Sequence, residues 1–186
     1  NLYRMADMPN YQMAALAYHE GVPGHHMQRA ISVELQDIPE FQRYASFTAF
    51  TEGWGLYTEQ LPKEMGLYAD FYTDFGRLEA ELWRACRLVV DTGIHSKRWT
   101  KQQAVDFMRD NTALSAANID AEVNRYITWP GQALAYKVGE LKIRELRARA
   151  EQRLGATFDL REFHDVVLEN GSVPLSVLES HVDAWL

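Results

Sequence analysis

The sequence predicts an all-α fold. Apolar residues recur at helical spacing through most of the 186 residues, and Gly and Pro together number only 17, which disfavours a turn-rich β fold. No convincing run alternates apolar with polar residues as a half-buried strand would.

Pro9-Asn10 opens a first helix in which Met13, Leu16 and Ala17 lead into Tyr18-His19-Glu20. A helical pattern resumes after Gly24, from His25 to Leu35, until Asp37-Ile38-Pro39 breaks it. Phe41, Tyr44, Phe47 and Thr48 predict a second helix that carries Phe50-Thr51-Glu52-Gly53-Trp54-Gly55-Leu56-Tyr57. Each glycine in it costs about 1 kcal/mol relative to alanine, which points to close backbone packing or to room kept for something else. Leu67, Phe71, Phe75, Leu78, Leu82, Cys86 and Val89 predict a long amphipathic helix from Glu64 to about Asp91. Thr100 reads as an N-cap before Lys101 to Arg109. Ser115 to Ile127 forms a further helix ended by Trp129-Pro130-Gly131, and Gln132 to Leu154 a charged amphipathic one closed by Gly155. Phe158 to Leu168 and Pro174 to Trp185 complete the set.

The length fits one domain with a sizeable core. Aromatic residues at 12% exclude disorder, and the net charge of −7 without a Lys/Arg cluster argues against nucleic acid as a partner. No run approaches the roughly 18 apolar residues of a membrane span. The single cysteine, Cys86, excludes an intramolecular disulfide framework and a cysteine-based zinc knuckle. The chain begins at Asn1 without a signal peptide, so a mature or truncated chain is expected and composition leaves the compartment open.

The chemistry concentrates in Tyr18-His-Glu-Gly-Val-Pro-Gly-His-His26. Zinc peptidases commonly place two histidines at i and i+4 on one helical face, with a glutamate beside the first. Here the second histidine comes at i+6 or i+7. On a regular helix i+6 is rotated by about 240°, and i+7 lies about 10.5 Å along the axis. Pro23 removes a helical hydrogen bond and clashes with the His19 carbonyl, and Gly24 permits unusual angles, so a two-residue bulge would carry His25 to the place of i+4. The alternative is a buried structural His19 with His25-His26 in an exposed turn.

A catalytic zinc takes three protein ligands and leaves a position for water. Glu52, mid-helix among Phe47, Phe50, Trp54 and Leu56, is the best third ligand, since a buried carboxylate needs a counter-charge; an arginine partner is the alternative. Glu59, two turns on, is expected to support the site or to be solvated. His95 could donate to a substrate carbonyl or simply sit at a helix C-terminus. Tyr126 and Tyr136 could donate to an oxyanion, and Arg125 and Lys137 could receive a peptide carboxylate, each with packing or surface as its alternative. His164 and His181 read as structural, and Trp83, Trp99 and Trp185 as core.

Four ordered blocks, Tyr18 to Gln28, Thr51 to Tyr57, Val90 to His95 and Trp129 to Lys137, resemble the signature blocks of the bacterial domain-of-unknown-function 885 (DUF885) family. That family is grouped with the glutamate-zincin metallopeptidases, and the resemblance spans essentially the whole chain. It implies a zincin-like helical catalytic domain forming the C-terminal part of a longer protein, with that missing N-terminal part as an intramolecular partner. It also implies a periplasmic or lipid-anchored home, a Zn2+ cofactor held by His19, His25 (or His26) and Glu52, and Glu20 as base. The expected function is a zinc-dependent peptidase that hydrolyses short peptides through an activated water, with His95, Tyr126 or Tyr136 stabilising the oxyanion. The rival expectations are a catalytically inactive metal- or peptide-binding module and a purely structural helical domain.

Overall fold

The structure is a computed structural model that describes residues 5–186. It is all-helical, with no strand among the described residues. Short 3-10 turns at Met5–Asp7 and Asn10–Gln12 lead into α1 (Met13–Glu20), and α2 (His25–Glu34) follows after a four-residue turn. Next come α3 (Glu40–Tyr44), α4 (Thr48–Glu64) and the long α5 (Phe71–Lys97). The chain continues through α6 (Lys101–Asn111), α7 (Ala116–Thr128), α8 (Ala135–Leu154), α9 (Leu160–Leu168) and α10 (Leu175–Trp185).

Local chemistry sets most boundaries. Thr100 caps α6 with a reciprocal box to Gln103, and Ser115 accepts from the Asn118 N–H at the start of α7. Gly131 turns the chain at φ 81°, and its N–H donates to the Asp91 carboxylate at 3.0 Å, tying the Trp129-Pro130-Gly131 turn to α5.

Three expectations are corrected. The helix over Phe41–Tyr57 is two helices, because Ala45 and Phe47 are extended and the Phe47 N–H donates to Ser172 Oγ at 2.8 Å. The long helix starts at Phe71, not Glu64: α4 runs on through Pro62 to Glu64, and Asp70 forms a capping box with Thr73. It also runs past Asp91 to Lys97, where Arg98 takes a left-handed conformation. Finally, Phe71, Phe75, Leu78, Leu82 and Val89 face outward, while α5 buries Arg77, Glu79, Arg84, Arg87 and Asp91 along with Cys86 and Val90. The buried face of α5 is therefore a charged one.

Two apolar clusters hold the domain. The first joins Phe50, Trp54 and Tyr57 of α4 to Ile143 and Leu146 of α8, Phe163 of α9 and Leu178 of α10. The second joins Cys86 and Val90 of α5 to Met108 of α6 and Ile119, Val123 and Tyr126 of α7. Trp83 and Trp99 pack against the second and Trp185 against the first. Helices α4 and α8 cross at Gly53 and Gly139, where a Cβ on either would run into the other's backbone. No helix among the described residues is long and apolar enough to cross a membrane.

His164 is packed into the first cluster, where its Nε2 shares a hydrogen bond of 2.8 Å with the Tyr57 hydroxyl. Burial, helped by the Arg147 charge, lowers it from 6.5 to about 4. Since the folded pKa is depressed, the stability carried by the neutral ring is complete above about pH 6.5 and is lost as pH falls toward 4. His164→Gln, which keeps a hydrogen-bonding group for Tyr57, is expected to flatten the fall in stability across that window by at most about 3 kcal/mol. Thermal unfolding at pH 7 and pH 4.5 checks this, and equal slopes for both proteins would contradict it.

Candidate metal centre

The His-Glu segment does not form one kinked helix. Helix α1 ends at Glu20, residues 21–24 make a turn containing a cis Val22–Pro23 peptide, and α2 starts afresh at His25. Gly24 lies so close to the Tyr18 and His19 carbonyls that a Cβ there would collide with both. The Trp54 indole N–H pins the turn from α4 by donating to the Pro23 carbonyl at 2.9 Å. Two helix ends thereby meet instead of one helix bulging, and the outcome for the side chains is the convergence the bulge was expected to provide.

His19 and His25 lie edge to face, with ring centroids 4.6 Å apart. Glu52 comes from α4, its Oε2 standing 3.3 Å from His25 Nε2 and 3.9 Å from His19 Nε2. The three ligand atoms all lie within 4.8 Å of one another. Two donors on a tetrahedral zinc stand about 3.3–3.4 Å apart, given bonds of about 2.0–2.1 Å, so small side-chain adjustments would suffice. His26 is exposed and outside the cluster, which leaves His25 as the second histidine.

The packing around the two rings is tight on the α4 side. Gly55 sits beneath both imidazoles, and a Cβ on it would come within 2.8 Å of the Cε1 carbons of His19 and His25. Two residues before it, on the opposite side of α4, Gly53 serves the α4–α8 crossing. The two glycines of α4 thus make room for different neighbours, one for the α8 backbone and one for the His19 and His25 rings.

Behind His19 lies Glu59, which is 2% exposed and accepts from His19 Nδ1 at 2.7 Å. That bond leaves the Nε2 lone pair directed toward Glu52, the orientation a metal ligand needs. Arg84 from α5 neutralises Glu59 at 3.3 Å, and the Tyr68 hydroxyl donates to its backbone carbonyl at 2.7 Å. For Glu52, burial would raise the pKa, but the hydrogen bond and charge of His25, with His19 and Tyr136, lower it on balance. For His25 burial lowers the pKa, and the hydrogen bond and charge of Glu52 raise it on balance.

Glu20 ends α1 with an exposed carboxylate whose charge reaches His25. Tyr136 stacks on His19 with centroids 6.3 Å apart, and its hydroxyl accepts from Arg125 at 3.2 Å and Gln132 at 3.3 Å. Gln132 in turn lies 3.5 Å from Glu52 Oε1. Tyr136 and Arg125 therefore belong to the cluster.

Three other expected residues do not join it. Tyr126 is 1% exposed and turns its hydroxyl to Arg87 at 3.0 Å and Trp83 at 3.2 Å, where burial pushes it up to about 12. His95 contacts the Tyr126 carbonyl through Nε2 at 2.8 Å, eight residues and about 12 Å along α5 from Arg87. Lys137 is spent on Glu81 at 2.9 Å and Glu140 at 3.0 Å. Sequence reasoning overlooked Arg84 and Arg87, which stack over Trp83 and Tyr136. It also overlooked Gln132, although the Trp129-Pro-Gly-Gln block contains it.

A family model described as "Bacterial protein of unknown function (DUF885)" matches residues 1–182. No curated protein matches. Among solved structures, "the putative lipoprotein from Colwellia psychrerythraea" is 51% identical, with a TM-score of 0.97 over 100% of this chain and 32% of that one. "A putative lipoprotein of unknown function from Shewanella oneidensis" is 28% identical, with a TM-score of 0.85 over 94% of this chain and 32% of that one. This chain spans about a third of the length of both.

Proposed function

The chain belongs to the DUF885 family of bacterial proteins, and we propose that it acts as a zinc-dependent peptidase on short peptides. The observation that carries this reading is the meeting of His19, His25 and Glu52 over the bare Gly55 backbone. Two imidazoles and one carboxylate are the donor set of a catalytic zinc, which keeps a fourth position open. Bound there, zinc would supply a Lewis acid and acidify a water to a pKa of about 7.

The protein's own groups supply the rest. The Glu20 carboxylate, adjacent in sequence to His19 and open to solvent, takes a proton from the attacking water and returns it to the leaving amine. The Tyr136 hydroxyl donates to the substrate carbonyl oxygen as negative charge grows there. Glu59 and Arg84 fix the tautomer and orientation of His19. As the chain spans a third of its solved relatives, the remainder of the protein is proposed to enclose the cleft. Export with a lipid anchor is proposed from the descriptions of those relatives.

Peptide hydrolysis by the protein is expected to vanish on chelation and to return with stoichiometric zinc. Hydrolysis that persists in the fully chelated protein would overturn the reading.

A further inference from the structure

Arg125 holds a charge that its surroundings leave partly uncompensated. Its one carboxylate partner among the described residues is Glu122, at 3.4 Å, and the other oxygen of Glu122 is held by Arg87 at 2.7 Å. Nearby, Arg84 is matched by Glu59, but Glu59 also serves His19. Glu122 is thus shared between Arg87 and Arg125, and Glu59 between Arg84 and His19. The remaining contacts of Arg125 are neutral: Gln132 Oε1 at 2.7 Å and the Tyr136 hydroxyl at 3.2 Å. Its side chain is 33% exposed, so a ligand can reach it. Lys137, the other cation expected to bind substrate, is buried and doubly paired.

The position of Arg125 relative to the cluster is bounded. Gln132 bridges Arg125 at 2.7 Å and Glu52 at 3.5 Å through one side-chain amide. With an amide N to O separation of about 2.3 Å, Arg125 Nη2 lies no more than about 9 Å from Glu52 Oε1. One extended residue spans about 3.5 Å, and a contact of about 2–3 Å at each end makes up the interval. That upper bound lies within the reach of a terminal carboxylate one residue beyond the scissile carbonyl.

We propose that Arg125 is the anchor for the free α-carboxylate of a peptide substrate, which makes the activity that of a carboxypeptidase. This rests on the peptidase reading and adds the substrate class: peptides with an unblocked C-terminus. Arg125 is a specificity residue, and Gln132 and Tyr136 hold its fork in place. With both Nη2 hydrogens taken by Gln132 and Tyr136, the guanidinium offers a carboxylate its permanent charge and the donors left on Nη1 and Nε.

The test compares N-acetyl-Ala-Ala with its C-terminal amide on the full-length zinc-loaded protein, by cleavage and, in a Glu20→Gln background, by calorimetric binding. The free acid is expected to bind about 10- to 100-fold more tightly than the amide, the worth of one charge-assisted pair. Arg125→Gln is expected to abolish that difference without changing zinc content, and Arg125→Lys to restore part of it. Equal binding of acid and amide by the protein with Arg125 intact, or an undiminished preference in Arg125→Gln, would overturn the assignment. Preferential binding of the acid without any cleavage would keep the carboxylate anchor and overturn the peptidase reading. Cleavage of acid and amide alike would do the reverse.

Discussion

Glu20→Gln is expected to lower kcat by about 10²- to 10⁴-fold while leaving the zinc content at one per chain. The amide keeps the shape and length of the glutamate but cannot accept a proton at neutral pH. Glu20 is exposed at the end of α1 and is not a member of the His19–His25–Glu52 cluster, so its loss should leave the donor set in place. The pair of readouts separates chemistry from binding. Full activity with metal retained would remove Glu20 from its role as base, and loss of metal would make it part of the ligand set instead.

Gly55→Ala should be equally severe, with a sign that generic helix energetics would reverse. In an ordinary helix interior this change stabilises by about 1 kcal/mol. Here the new Cβ would come within 2.8 Å of Cε1 of both histidines. Both rings must move away from α4, and with them the donor atoms that face Glu52. Zinc affinity is expected to fall at least about 100-fold, since two of three ligands are displaced together. The helix content seen by circular dichroism should be unchanged. A Gly55→Ala protein that binds zinc like its parent would show that the space above Gly55 has no such purpose. Gly53→Ala provides the contrast, because its clash is with the α8 backbone and its cost should appear in thermal stability.

The sequence made the helices legible where local chemistry controls them. Thr100, Ser115 and Gly155 mark real ends, and the His-Glu and Thr51–Tyr57 segments point to the residues that converge. What it hid depends on contacts distant in sequence. The break between α3 and α4 follows from Ser172, more than a hundred residues away, and no local pattern announces it. The Asp70–Thr73 capping box lies inside an apolar stripe from Leu67 to Val89 that reads as one continuous helix. That stripe faces outward, and the buried charges on the opposite face include Arg84 and Arg87, which stand behind the site. Periodicity identifies an apolar face without saying what covers it. Likewise His95, Tyr126 and Lys137 had suitable chemistry, but each is committed to a partner that only the fold reveals.

The most direct measurement is the zinc content of the protein, purified without a polyhistidine tag, loaded with zinc and freed of excess ions. The account predicts one zinc per chain in the parent and none in His19→Ala, with loading raising the unfolding temperature of the parent alone. A parent protein that retains no stoichiometric zinc, and that unfolds at the same temperature with and without it, would contradict the account.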